Sequence, residues 1–351
     1  MRKGDAFGLH RVREPEGVMP QAAWRIDNEM TVWDNEILID VEVLNIDSAS
    51  FTQMREEAAG DSARVAQTMM RIVRERGKHH NPVTGSGGML VGRVADMGNV
   101  IRRRGDLQVG DRIATLVSLS LTPLHIDEIR RIDMHNAQVD IRGQAILFES
   151  GIYAKMPNDL PDRVALAIFD ICGAPAQTAR LVRAGDTVVI LGASGKSGLT
   201  VLRQARLSAG TRGRVVAVDY GDAACERLCA LGWADAVLNV DASRPADVLA
   251  AVGQVLGEER ADVVINCVNV QNTEMASILC AKDRGTVYFF SMATQFTAAA
   301  LGAEGVGKDV QLMIGNGYCR GHAEHALQLV RQCPELLRVF EGKFSSGEES
   351  K

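Results

Sequence analysis

Between Glu36 and Phe51 the chain reads EILIDVEVLNIDSASF. Its first half alternates like a half-buried strand. Asn45, Asp47, Ser48 and Ser50 then crowd together. Short polar side chains gather in turns, where they bond their own backbone. A catalytic corner explains the same residues, and the pattern alone does not choose. Further strand-like runs are GMLVGRVADMG, DRIATLVSLSL and AQVDIRGQAILF, separated by glycines and turn residues. A polar, helix-prone segment at about 53–78 interrupts the series. Residues 1–155 therefore predict a β-rich domain with one inserted helix.

From about Pro161 the periodicity changes. RVALAIFDICGAPAQTARLV reads as helix, and DTVVIL as a buried strand followed by another helix. RVVAVD, DAVLNV, DVVIN and GTVYFF are strand signals with helical segments between them. Such alternation predicts an α/β unit over 156–321 built on a doubly wound parallel sheet. DVQLMIGNGY adds one more strand. Residues 322–351 predict an amphipathic helical tail that packs back on the first domain, broken or kinked at Pro334.

At 351 residues the chain exceeds what one core usually serves, which agrees with two domains. The net charge is −5 and the one basic run, Arg102-Arg103-Arg104, reads as a solvated loop, so nucleic acid is not an expected partner. No 18-residue apolar run exists to span a membrane. The first fifteen residues hold no apolar signal-peptide core. Seven cysteines, odd in number and scattered, fit buried thiols in a reduced, cytoplasmic chain. Cys225 and Cys229, four apart, are expected on one buried helical face.

VVILGASGKSGLTVL carries the strongest local chemistry. Gly192, Gly195 and Gly198 stand between a buried-type strand and a helix. A tight turn, close approach of a pyrophosphate and close helix packing all need glycine there. The helix start, with Ser194, Lys196 and Ser197, offers N–H groups to the anion. A phosphate-loop reading fails because Ile190 occupies a required glycine position. Asp219, 21 residues past Gly198, is spaced to bond the adenosine ribose. An acid there repels a 2′-phosphate, so NAD is expected over NADP, although Arg212, Arg214 or Arg227 leave NADP possible. Ligands lie beyond the carboxyl ends of such strands, which places Cys267, Val268, Asn269, Ser291 and Met292 near the nicotinamide.

A β-rich domain followed by a dinucleotide domain resembles the medium-chain dehydrogenase/reductase superfamily. LNIDSASF is similar to its first polar corner, NPVTGSGGMLVGRV to its glycine-rich segment, and LQVGDRIA to its V-G-D-R-V turn. The resemblance implies a GroES-like substrate domain and a Rossmann-type cofactor domain. Zinc-dependent members carry Cys in that corner and His-Glu in the glycine segment. Here Asp47, Ser86 and Gly87 stand at those positions and Cys172 matches a third ligand. Catalytic zinc takes three protein ligands, so no metal is expected.

NIDSASFTQ, LVSLSLTPLHIDEI, ILFESGIYA, INCVNVQNTEM, FFSMAT and GAEGVGKD resemble more closely the diaminohexanoate dehydrogenase family of bacterial lysine fermentation. That resemblance implies oxidative deamination of 3,5-diaminohexanoate to 5-amino-3-oxohexanoate, ammonium and reduced cofactor. The ammonium must lose a proton before hydride can leave, so a base is needed. By its matched position Asp47 is the expected base, with Ser48 as hydroxyl relay. A diamino acid substrate needs further polar partners, and Thr84, Ser86 and Glu149 are the expected ones. His125 and Glu304 lie in similar stretches, with His125 reading as structural. His79-His80 reads as a surface helix end. His322 and His325 share a helical face, but no third metal ligand accompanies them.

A quinone or enone reductase on the same fold and a non-enzymatic NAD-binding sensor are the alternatives. The strand DVQLMIGN, near a sheet edge, predicts a homodimer paired across a two-fold axis.

Overall fold

The computed structural model describes residues 2–344 apart from 84, 86 and 316, and only the backbone at 48, 49, 343 and 344. Its contacts divide the chain into two units, Met1–Asn158 and Asp159–Lys351. The division falls three residues beyond the expected boundary at 155.

In the first unit a 3₁₀ turn, Leu9–Arg11, leads into β1 (Val12–Glu14), which pairs with β2 (Arg25–Ile26). Then come β3 (Glu36–Asn45), α1 (Ser48–Glu57), α2 (Ser62–Arg76), β4 (Met89–Met97), α3 (Asn99–Arg102) and β5 (Arg112–Thr115). β6 (Leu124–Asp133), β7 (Gln138–Phe148) and β8 (Tyr153–Lys155) complete it. Six strands form one antiparallel sheet in the order β6-β7-β3-β4-β5-β8. β3 lies inside it, with Asn45 opposite Met89 on one side and Gln138 on the other. Ile37, Ile39, Val41 and Leu44 of β3 join a buried core with Phe51 and Met54 of α1. Val65, Met69, Ile72 and Val73 of α2 enter the same core at helical spacing.

The single inserted helix expected at 53–78 is two helices. Ala59 and Gly60 take left-handed φ of 50° and 78°, and Asp61 caps α2 by accepting from the Ala63 N–H at 2.8 Å. A continuous helix cannot pass through two left-handed residues. β6 has no counterpart in the strand signals. It is an edge strand whose exposed positions carry charge, so it lacks an apolar run. DRIATLVSLSL forms a strand only as far as Thr115.

The second unit begins with α4 (Asp162–Phe169) and α5 (Gly173–Leu181). The sequence reads these as one helix. Pro175 has no N–H to offer the carbonyl of Ile171, so α5 starts afresh with Pro175 in its first turn. Next are β9 (Thr187–Leu191), α6 (Lys196–Ala209), β10 (Arg214–Asp219), α7 (Asp222–Leu231), β11 (Ala236–Asn239) and α8 (Pro245–Leu256). They are followed by β12 (Ala261–Asn266), α9 (Glu274–Cys280), β13 (Ala281–Phe289), α10 (Phe296–Gly305) and β14 (Gln311–Ile314). All six strands are parallel, in the order β11-β10-β9-β12-β13-β14. That is the dinucleotide-binding order, with a switch point between β9 and β12. Val188–Leu191 and Val215–Val218 are buried throughout, as a sheet covered on both faces requires.

α11 (His322–Arg331) and α12 (Pro334–Phe344) meet at Pro334, which opens α12. They pack on α4, α5 and α6 and so belong to the second unit. His325 ties α11 to α6 through Gln204 at 3.0 Å, and His322 is buried edge-on to Tyr318. Cys225 is half-buried and Cys229 exposed on α7, so their expected burial does not hold.

One polar cluster lies in the interior of the first unit. Glu36, 0% exposed, accepts from Arg11 Nε at 2.7 Å and Nη2 at 2.6 Å, and from the Trp33 N–H at 3.0 Å. His10 Nε2 lies 2.8 Å away. Burial works against the carboxylate, but hydrogen bonds from His10, Arg11 and Trp33 and the Arg11 charge outweigh it. Glu36 therefore titrates below its ordinary 4.5. Such a group contributes stability above its unfolded pKa and loses it as pH falls through the folded one. Glu36→Gln strands a buried guanidinium, which should cost about 3–5 kcal/mol. Calorimetry should show a lowered first-unit transition at neutral pH and a flatter acid limb than the parent chain has.

Candidate active site

β3 delivers the polar corner to the end of the first sheet. Asp47, just past the strand, is the N-cap of α1, and its Oδ1 accepts from the Ser50 N–H at 2.9 Å. The turn reading of the corner is therefore correct as far as Oδ1. The other oxygen, Oδ2, is buried and has no partner among the described residues. A buried carboxylate oxygen left unpaired is costly, so the cap alone does not account for Asp47.

Two glycines pack against this corner. Gly88 has φ +104°, and a Cβ there would lie 2.2 Å from Asn45 O and 2.8 Å from Asp47 N. A Cβ on Gly87 would lie 2.5 Å from the carbonyl oxygen of His79. Bare backbone is thus required where this segment passes between Asp47 and His79. His79 is 0% exposed, and both ring nitrogens lack a partner among the described residues. Burial pushes its pKa down to about 4, against the opposing charge of Asp47. This overturns the surface reading of His79-His80: α2 stops at Arg76, and the chain turns inward after left-handed Gly77. His80 is likewise pushed down to about 4 by burial.

Of the other expected residues in this unit, the Ser48 side chain, Thr84 and Ser86 lie outside the described residues. Glu149 does not join Asp47. It follows Phe148, which pairs with Glu36 at the opposite end of β3, where it accepts from Asn35 at 3.0 Å and Arg104 at 2.8 Å. Ten residues of strand separate the two ends, about 30 Å. His125 is exposed beside Asp127. Arg102 and Arg104 pair with Asp96 and Glu149 and remain partly solvated.

The second unit assembles the glycine loop at its switch point. Gly198 lies so close to the loop that a Cβ would sit 2.0 Å from Gly192 O. A Cβ on Gly192 would meet Val268 N at 2.9 Å, which brings the backbone after β12 onto the loop. The Cys267 thiol, pushed up to about 12 by burial, meets the Ser197 side chain. Asp219 holds the loop to β10, accepting from the Ser194 N–H at 2.6 Å. Lys196 reaches Asp170 at 2.5 Å. Ser291 Oγ lies 3.5 Å from Asn269 Oδ1, while Met292 is 85% exposed. Glu304 is exposed on α10.

Gly195 differs from its neighbours. A Cβ there would meet only Gly192 O, at 3.5 Å, an ordinary contact. The backbone at the start of α6 is therefore open, as a bound pyrophosphate requires. Residues around this loop fit a dinucleotide. Among the described residues no three His, Cys, Asp or Glu side chains gather as a metal site.

An antiparallel β-rich unit joined to this parallel sheet and glycine loop defines a medium-chain dehydrogenase/reductase-like oxidoreductase that uses a nicotinamide cofactor. Solved structures agree on the fold. The quinone oxidoreductase from Coxiella burnetii has a TM-score of 0.55 at 14% identity, covering 89% of this chain and 84% of that one. A mycobacterial quinone oxidoreductase has a TM-score of 0.52 at 17% identity, covering 92% and 86%. Residues 198–313 match the zinc-binding dehydrogenase family model. Residues 10–157 match that of the L-erythro-3,5-diaminohexanoate dehydrogenase N-terminal domain. The L-erythro-3,5-diaminohexanoate dehydrogenase of Acetoanaerobium sticklandii is 54% identical over 97% of this chain and 98% of its own. That of Fusobacterium nucleatum is 52% identical over 97% and 99%. The chain belongs to the L-erythro-3,5-diaminohexanoate dehydrogenase family.

Gly195→Ala should leave thermal stability unchanged, because its methyl meets no obstacle in the protein, yet weaken the cofactor by about 10-fold or more, since the pyrophosphate must approach there. Gly198→Ala should lower both, because its methyl collides with backbone. Fluorescence titration with NAD and thermal melts separate the two effects.

Proposed function

We propose that this chain oxidatively deaminates L-erythro-3,5-diaminohexanoate at C3, giving 5-amino-3-oxohexanoate, ammonium and reduced cofactor, with NAD preferred over NADP. The observation that carries this reading is the buried, unpaired Oδ2 of Asp47, in a chain of this family. The carboxylate at Asp219 supports the NAD preference, since it would repel a 2′-phosphate.

The bound nicotinamide supplies the hydride acceptor. Everything else falls to the chain. Asp47 takes a proton from the 3-ammonium, because only the neutral amine can release hydride. Once that proton has passed on to solvent, the negative charge of the restored carboxylate stabilises the cationic iminium left at C3. It next accepts a proton from the water that adds to that carbon. Zinc in other medium-chain enzymes acts as a Lewis acid. A carboxylate suits an amine better, because the substrate is a cation until it is deprotonated.

Spectrophotometry of the reduced cofactor tests the reaction: NAD with the diamino acid should give turnover and NADP less. Oxidation of NADH by quinones without turnover of the diamino acid would replace this reading with a quinone reductase. Binding of NAD with no turnover of either would replace it with a sensor.

Asp47→Asn keeps an N-cap acceptor, so folding should survive. Turnover should fall on the order of 100-fold or more, the scale of positioned proton transfer, with NAD affinity unchanged in the same titration.

β14 lies at the edge of its sheet, with one side unpaired among the described residues. Its pairing across a two-fold axis would make a homodimer. Light scattering should give twice the chain mass, and a monomer would reject that assembly. All seven cysteines are free, which suits a reducing cytoplasm.

A further inference from the structure

Asn266 closes β12 and has no part in the steps above, yet it is 0% exposed. Val263, Val264 and Ile265 before it are apolar and buried, as a strand covered on both faces requires. An amide in such a place costs free energy unless its hydrogen bonds are made. Here they are made, and all to the chain that leaves β12. Oδ1 accepts from the Val268 N–H at 2.9 Å. Nδ2 donates to Thr273 Oγ1 and to Ser277 Oγ, each at 2.9 Å. Ser277 Oγ donates in turn to the Thr273 carbonyl at 3.0 Å. One side chain therefore holds both the start of the 267–273 loop and its end, where Thr273 stands at the N-cap of α9.

The start of α9 also reaches the next loop. Glu274, 3% exposed, accepts from the Gln295 N–H at 2.8 Å, at the N-cap of α10. The loops after β12 and β13 are thus fastened at their roots, while Val270 and Met292 within them are exposed.

The place of these loops in the sheet gives the fastening a use. β12 lies beside β9 on the side away from β10. A dinucleotide crosses such a sheet at the switch point. With its adenosine half toward Asp219 and its pyrophosphate at the open backbone of Gly195, its nicotinamide half falls over the end of β12. A Cβ on Gly192 would meet Val268 N at 2.9 Å, so the loop that Asn266 fixes touches the glycine loop itself.

We infer that Asn266 is a positioning residue for the nicotinamide half of the cofactor, holding the 267–273 loop in the shape which that half binds. The inference rests on the use of a nicotinamide cofactor and not on the choice of amine substrate. Asn266 is enclosed and acts through the backbone it fixes. A loop that must become ordered on binding costs affinity, and one fixed in advance does not.

Calorimetric titration with two ligands distinguishes this role from a purely structural one. ADP-ribose carries the adenosine, pyrophosphate and second ribose of NAD but no nicotinamide. Asn266→Ala should weaken NAD by about 10-fold, the scale of one or two lost hydrogen bonds, and leave ADP-ribose within about 2-fold of the parent. Thr273→Val keeps the shape of the side chain and removes one partner of the amide. It should show the same contrast at a smaller size, and it decides the question if the alanine variant does not fold. A loss of ADP-ribose affinity as large as that of NAD, or no loss of NAD affinity, would overturn the role of Asn266. Failure of the parent chain to bind NAD would instead overturn the nicotinamide reading.

Discussion

The approach of bare backbone at Gly88 to the end of β3 is the contact on which the candidate site's polar corner depends. It allows no Cβ, since Asn45 O and Asp47 N already occupy that space. The chain leaving β3 must therefore turn at once, and Asp47 falls at the N-cap of α1. One carboxylate then has two surroundings. Oδ1 completes a helix, as an N-cap aspartate does in many proteins. Oδ2 is buried and has no partner among the described residues. Reactive groups gain from such preorganisation because nothing has to rearrange when charge develops nearby.

The second unit uses the same device for a different purpose. Gly198 and Gly192 bring backbone against backbone, while Gly195 is left open. Close packing at two positions makes the loop rigid, and openness at the third admits a ligand. Asp219 joins the loop to β10 through the Ser194 N–H. The residue expected to read the ribose thus also fixes the loop that receives the pyrophosphate. Similar economy is seen in Glu36, which satisfies Arg11, His10 and the Trp33 amide together and anchors the start of β3. β3 therefore has a buried ionic cluster at one end and the candidate site at the other.

Much of this was legible before any coordinates. The alternation of the second half follows from burial on both sheet faces, and EILIDVEV carries the period of a strand. Pro334 marked the joint between α11 and α12 because proline cannot continue a helix. Other elements were hidden for physical reasons. β6 is an edge strand with charged outward positions, so it has no apolar run. The break between α1 and α2 lies in Ala59 and Gly60, and an alanine gives no sign of a left-handed φ. Glu149 lies in a motif-like stretch, yet the sheet register carries it to the far end of β3.

Taken alone, the sequence determined the class of each unit, the glycine loop, the acid after β10 and the polar corner after β3. Those are local properties: periodicity, spacing and residue type. Only the tertiary structure decided that His79 lies inside. Its burial depends on a left-handed turn at Gly77 and on Gly87 from another segment, and no local pattern encodes either contact. Two adjacent histidines after a helix read as a surface end because histidine is polar. His79 is buried and His80 half-buried because the chain turns inward there, and burial rather than residue type sets what an imidazole can do.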